Sequence, residues 1–184
     1  MIDQSNDELH RLRRTMRDLV ALSTLPAVWT GLDTEAIGKS LAEVLVRTLS
    51  LDLVYIRLKG AGPEEVIEII RGKHGVDAAA AEAVKAALKP LLSADASDTP
   101  PTIANPFTKT GTLRIAVTRF GISGDHGVLV SGSSHAAFPT EQDRILLGVG
   151  ANQTAIVVQR NKADRAAREQ AGASGRYFPV SGTR

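Results

Sequence analysis

The stretch His126–Arg160, HGVLVSGSSHAAFPTEQDRILLGVGANQTAIVVQR, decides the fold: a short apolar strand, a small-residue loop, and a sharply capped, mostly apolar helix. Gly127 to Gly132 is a β-rich run that Ser133, Ser134 and Pro139 interrupt before a new element starts at Thr140. Thr140 reads as an N-cap whose hydroxyl can accept an orphan backbone N–H, with Glu141 and Asp143 placing negative charge at the positive end of the helix dipole. Beyond the cap, Ile145, Val149 and Ile156 share one face, Leu146 and Val157 another, and Leu147, Ala151 and Val158 a third. A helix apolar on several sides is covered on several sides, which predicts a sheet against one side and a partner helix against another.

Working back from this stretch, Thr112 to Phe120 reads as a strand with Leu113, Ile115 and Val117 on one face and Arg114, Ala116 and Thr118 on the other. It turns through Gly121 to Asp125 into the strand after His126, so the pair is expected to be an antiparallel hairpin. Thr102 to Asn105 is a short candidate edge strand. Asp77 caps an Ala-rich helix that turns Ala80, Val84, Ala87, Leu88 and Leu91 to the core before Pro90 and Ser93–Pro101 loosen the chain. Leu51 to Leu58 alternates as a strand, with Val54, Ile56 and Leu58 opposite Leu53, Tyr55 and Arg57, and pairs across the Lys59–Pro63 turn with Glu65 to Arg71.

Two helices precede the hairpin. Ser5-Asn-Asp-Glu8 forms a capping box, after which Leu9, Leu12, Met16 and Leu19 fall at alternating spacings of three and four, a short coiled-coil seam. Its flanking Asp7, Glu8 and Asp18 favour a dimerising helix over the membrane-surface helix that Arg11, Arg13, Arg14 and Arg17 would suggest. Leu25-Pro26 is expected to end this helix, and a linker with Trp29 and Gly31 leads to a second one from Asp33 or Thr34, buried through Ile37, Leu41, Val44 and Leu45 and closed at Ser50. The order helix, helix, hairpin, helix, loop, hairpin, helix is α+β rather than alternating βαβ.

Composition narrows the function. At 184 residues, one core with extensions is the expectation. Aromatic residues make up 4% of the chain, too few for a base-stacking platform. The net charge of +2 is uneven: residues 160–184 carry six Lys/Arg against Asp164 and Glu169, which leaves residues 1–159 slightly acidic. A basic tail of that kind reads as a solvated charge run, not a nucleic-acid surface. The acidic start MIDQSNDELH has no apolar core of a leader peptide, and no apolar run reaches spanning length, so a soluble, cytoplasmic chain without membrane insertion is expected. The absence of cysteine excludes disulfides, thiol nucleophiles and cysteine metal sites.

The chemical motifs are sparse. Gly38-Lys39-Ser40 has the ending of a phosphate-binding loop, but Gly31 stands at the wrong spacing and the triplet lies within an amphipathic helix. His10, His74, His126 and His135 are scattered without metal-ligand spacing, His126 beside Asp125 being the nearest to a ligand candidate. Ser131, Ser133, Ser134 and His135 are neighbours without the elbow of a serine hydrolase, and read as a polar loop. His10 lacks the acidic neighbour and downstream proline of a kinase phosphoacceptor box. No catalytic residue and no metal site is assigned, and the sequence names no cofactor. Trp29 beside Pro26 is read as a packing anchor, and Asn152 and Gln153, which interrupt an apolar helix, as amides that fix register across a dimer interface.

Val117-Thr-Arg-Phe, a Gly-containing turn, Gly127-Val-Leu-Val, Phe138-Pro-Thr-Glu-Gln-Asp143 and Ala151-Asn-Gln-Thr-Ala-Ile156, in that order, resemble the C-terminal half of a GAF domain. Leu25-Pro-Ala-Val-Trp29 looks like the leader of GAF modules at the front of bacterial sensor histidine kinases. One departure is visible: where many members have Pro-Leu at the end of the penultimate strand, this chain has Arg119-Phe120, at the rim of any pocket. The resemblance implies an antiparallel sheet of about six strands, N- and C-terminal helices on one face, and a ligand pocket under a helix and loops on the other. It divides the chain into a dimerisation helix and linker (1–31), a GAF-like domain (32–160), and a helix end with a flexible basic tail (161–184).

The same resemblance implies a non-catalytic sensory domain of bacterial two-component signal transduction. It would bind an unidentified small molecule and act as a homodimer on an output such as a histidine kinase; a ligand-free dimerisation module is the alternative. Methionine sulfoxide reduction and covalent bilin attachment, which use cysteine in related domains, are excluded. Asn105 and Lys109 are not followed by the rest of the cyclic-nucleotide signature. Tyr55, Arg57, Phe107, Arg114, Thr118 and Phe120 are the candidate ligand-binding residues, each being polar or aromatic on or near the less apolar strand faces; a solvent-facing sheet residue is the competing reading of each. Leu9, Leu12, Met16, Leu19, Val149, Asn152 and Ile156 are the candidate dimer contacts, within helices spanning residues 5–23 and 140–168.

Overall fold

The computed structural model describes residues 2–60, 65–93, 99–108, 110–121 and 127–174. The elements run α1 (Ile2–Val28), α2 (Thr34–Thr48), β1 (Leu53–Lys59), β2 (Val66–Gly72), α3 (Ala78–Ser93), β3 (Thr102–Ala104), β4 (Thr112–Phe120), β5 (Gly127–Ser133) and α4 (Glu141–Ser174). The class is α+β, as expected. Among the described residues the sheet has five strands, in the order β2-β1-β5-β4-β3, and every pairing is antiparallel. That count is close to the expected number of about six. The His126 end of the opening stretch, most of the Gly121–Asp125 turn, Lys109 and the side chains of the Ser5–Glu8 box before Glu8 lie outside what is described.

Alternation along the strands builds two cores. Val54, Ile56 and Leu58 of β1, Leu129 of β5 and Phe120 of β4 point to the side where Ile37, Leu41 and Leu45 of α2 and Leu146, Leu147 and Val158 of α4 cover them. Leu53 and Tyr55, Leu113 and Ile115, and Val128 and Val130 point to the other side, against Val84 and Leu88 of α3. Helices α2 and α4 pack directly on strands, while α1 packs on α4 and α2, forming an outer layer. Leu22, Leu25 and Trp29 seal that layer, and the Trp29 indole N–H donates to Ser40 Oγ at 2.9 Å.

The caps follow the sequence. Asp33 Oδ1 accepts from Ala36 N and Asp77 Oδ1 from Ala80 N, each at 2.7 Å. At α4 the cap is reciprocal: Asp143 N donates to Thr140 Oγ1 at 3.2 Å, and Thr140 N donates to Asp143 Oδ2 at 2.9 Å. Ser50 closes α2 with a left-handed backbone (φ 52°). The proline at 26 does not end α1, which continues to Val28; Pro90 likewise sits inside α3. So near a C-terminus a proline forfeits one intrahelical bond in a turn about to end, and the packing of Leu25 and Trp29 outweighs that loss.

Helices α1 and α4 lie parallel. Leu22 packs at Gly150, and further along the Asn161 side-chain amide donates to the Leu32 carbonyl at 3.0 Å. With that register, the start of α1 projects past the start of α4, and α4 beyond Asn161 projects past the end of α1; its residues 163–171 are exposed throughout. The chain therefore enters at one end of a helical spine and leaves at the other.

Candidate functional site

The six candidate ligand residues do not form one site. Tyr55, Arg57 and Phe107 lie on the α3 side of the sheet, whereas Arg114, Thr118 and Phe120 belong to the β4 face turned toward α2 and α4. Phe120 is fully buried in the helix-side core. Arg114 is a tether: its Nε donates to the Phe138 carbonyl at 2.5 Å and fixes the loop that leads into α4. The cause is the period of two along β4, which puts the semi-polar set under α4 and the apolar set of Leu113 and Ile115 under α3.

Tyr55 is committed as well. Its ring is buried beneath α3, and its hydroxyl donates to Glu68 Oε1 at 2.5 Å. Burial pushes the phenol above its ordinary range, and the Glu68 carboxylate adds to the shift. Glu68 also meets Lys85 of α3, at 3.6 Å, and Lys85 reaches Glu82 at 3.3 Å. This chain of contacts pins α3 to β1 and the edge strand β2, and holds the Lys85 ammonium above its ordinary range through Glu82 first and Glu68 second. Phe107 borders a shallow surface depression with His74, Asp77 and Pro106 at the N-terminal end of α3.

Arg57 is different. Helix α3 covers only part of its sheet face, and beyond the helix's last turn lies a recess of about 210 Å³ lined by Arg57, Leu58, Lys59, Val66, Leu92, Arg119, Gly127 and Val128. The cross-strand register puts Arg57, Val128 and Arg119 in a single row over β1, β5 and β4. The Arg119 Nη2 donates to the Leu92 carbonyl at 3.4 Å. Gly127 permits the row to close: a Cβ there would collide with the Arg57 carbonyl. Arg119 falls outside both faces named for β4 from the sequence, and only the cross-strand register places it beside Arg57.

The candidate dimer contacts divide by exposure. On α1, Leu9, Leu12 and Met16 are exposed, and Val20 extends their stripe. On α4, Ile156 is 60% exposed, Asn152 is exposed, and Ile145 continues the stripe at 50%. Leu19 and Val149 are half-buried and pack partly against the chain's own core. Helix α1 thus takes the partner-helix position expected beside α4, yet both helices keep an apolar stripe in solvent.

The remaining motifs resolve as structure. Lys39 pairs with Glu35 at 2.5 Å on the helix surface, and Gly38 lets α2 approach the sheet, since a Cβ there would run into Ile69. His135 Nδ1 accepts from Ala137 N at 3.3 Å within its loop. Among the described residues no group of three or more His, Asp or Glu could hold a metal ion, and no helix is long and apolar enough to cross a membrane.

No family model matches the sequence, and no curated protein sequence does. Solved structures do. One is the GAF domain of a protein described as a sensor histidine kinase from Pseudomonas syringae pv. tomato, 19% identical, covering 92% of this chain and 98% of its own, with a TM-score of 0.50. Another is the GAF domain of an Acinetobacter phosphoenolpyruvate-protein phosphotransferase, 12% identical, covering 84% of this chain and 95% of its own, with a TM-score of 0.48. With two helices on one side of an antiparallel 2-1-5-4-3 sheet, a third helix on the other and a likeness to the first of these along nearly its whole length, the chain has a GAF-like fold.

Proposed function

We propose that this chain is a cytoplasmic, non-catalytic sensory or regulatory domain of bacterial signal transduction. In this reading it binds a small molecule on the α3 side of the sheet and passes the signal through a homodimeric helical bundle to an output such as a histidine kinase. The observation that carries the proposal is the division of labour between the two sheet faces: an open recess on one, and on the other a parallel spine whose ends project in opposite directions. A ligand that binds one packing of the spine better than another would shift its population by that difference in affinity.

A ligand-free dimerisation module is the second reading, and the packing under α3 favours it. Tyr55, Val84, Leu88, Ile103 and Ile115 fill the space between helix and sheet with the chain's own side chains. Native mass spectrometry of freshly purified full-length protein separates the two. A reproducible retained small molecule, released on denaturation, is the result expected of a sensor; the bare chain mass in repeated preparations would overturn the sensory reading in favour of assembly alone.

A further inference from the structure

Arg57 and Arg119 stand two strands apart with Val128 between them, so their Cα atoms are separated by roughly 10 Å, twice the inter-strand spacing. Both guanidiniums can therefore reach a group seated over the middle strand. Lys59 adds a third cation two residues along β1 on the same face. The carboxylate next along the row is Glu68, opposite Arg57 on β2, and it is engaged by the Tyr55 hydroxyl and by Lys85. Arg57 and Lys59 form no ion pair with any described residue.

The rest of the recess is apolar. Val128 is its floor, and Val66 and Leu92 supply walls; Val66 is 46% exposed, an unusual setting for a branched side chain next to three cations. Cations at the rim and an apolar floor match a molecule with an acidic head and a short hydrocarbon body. The volume of about 210 Å³ falls short of the roughly 300–1,000 Å³ of pockets that take drug-sized ligands, which sets an upper size.

We propose that the recess between Arg57 and Arg119 binds a small organic anion, its carboxylate or phosphate held by the arginine pair and Lys59 and its apolar body lying on Val128, Val66 and Leu92. The proposal rests on reading the α3 side as the ligand side, and it names the ligand's chemical class. Arginine suits this role because its planar fork bonds a carboxylate or phosphate through two parallel N–H groups, whereas lysine acts as a point charge.

The test is an amide-resolved NMR titration of the full chain with four probes: hexanoate, hexyl phosphate, the neutral hexanamide, and inorganic phosphate. Hexanoate or hexyl phosphate is expected to move the amides of Arg57, Val128 and Arg119 and to bind about ten-fold or more tightly than hexanamide, the scale of a charge-assisted hydrogen bond. Whichever of the two binds more tightly assigns the head group. Arg57→Gln and Arg119→Gln should each weaken that binding about five-fold or more at unchanged melting temperature.

Three results would overturn the proposal. Hexanamide binding as tightly as the anions at these residues removes the anionic class and leaves the sensory reading standing. Inorganic phosphate binding as tightly as hexyl phosphate removes the apolar body. No shift at these residues with any probe removes the site itself, while a retained molecule in native mass spectrometry would still support a sensor that binds elsewhere.

Discussion

Single side chains carry the sharpest stability predictions. Ser131 is fully buried on the helix-side face of β5, and its hydroxyl has no hydrogen-bond partner among the described residues. A buried hydroxyl without a partner costs about 1–3 kcal/mol of desolvation, so Ser131→Ala is expected to leave urea stability unchanged or raise it by up to about 1 kcal/mol. Trp29 is the opposite case, buried in the seal between α1 and α2 with its N–H satisfied by Ser40; Trp29→Ala should cost about 3–5 kcal/mol in the same assay. Tyr55 gives a pH signature. Its phenol is raised above the ordinary tyrosine value in the folded chain, so the fold holds that proton more tightly than the unfolded chain does. The associated stability is fully present below about pH 10, the unfolded tyrosine value, and is lost as pH climbs from there toward the folded value. Tyr55→Phe should remove that part of the alkaline decline, and denaturant titrations of both proteins from neutral to strongly alkaline pH would show it; parallel curves would contradict the assignment. Lys85, raised in the same direction, titrates in both proteins and cancels from the comparison.

At the level of elements, most of the architecture was legible because it is written locally. Alternation in Leu51–Leu58 and Thr112–Phe120, the caps Asp33, Asp77 and Thr140, and the mostly apolar helix after Thr140 all reflect periodicity and turn chemistry within a few residues. Thr140→Ala, which removes the hydroxyl from the reciprocal cap, should therefore cost about 1 kcal/mol and fray the start of α4, measurable as faster amide exchange in its first turn. The candidate site was less legible. Pairing Arg57 with Arg119 depends on the β1-β5-β4 register, a contact between residues more than sixty apart, and nothing local encodes it. The same ignorance of which face meets which helix grouped Arg114, Thr118 and Phe120 with Tyr55, though a sheet lies between them. Pro26 was misleading for a different reason: its local signal says stop, and the packing of Leu25 and Trp29 carries α1 a further two residues.

For the molecule as a whole, the layers are α3, sheet, the α2–α4 pair and then α1, with the recess on the first side and the spine on the last. Whether α1 packs on its own chain or on a copy was not written in the sequence, because the heptad-like spacing of Leu9, Leu12, Met16 and Leu19 fits both. The structure divides that seam: Leu19 packs inward, while Leu9, Leu12 and Met16 face solvent near Val20, and Ile145 and Ile156 do so on α4. Exposed apolar stripes on two adjacent parallel helices are what a four-helix interface between two copies would cover. Sedimentation equilibrium of the full chain, alongside the double variant Leu12→Asp with Ile156→Asp, tests this most directly. The account predicts a dimer for the native chain at tens of micromolar and a monomer with an unchanged thermal transition for the variant. A native chain that stays monomeric at high micromolar concentration, or a variant that dimerises as well as the native chain, would contradict it.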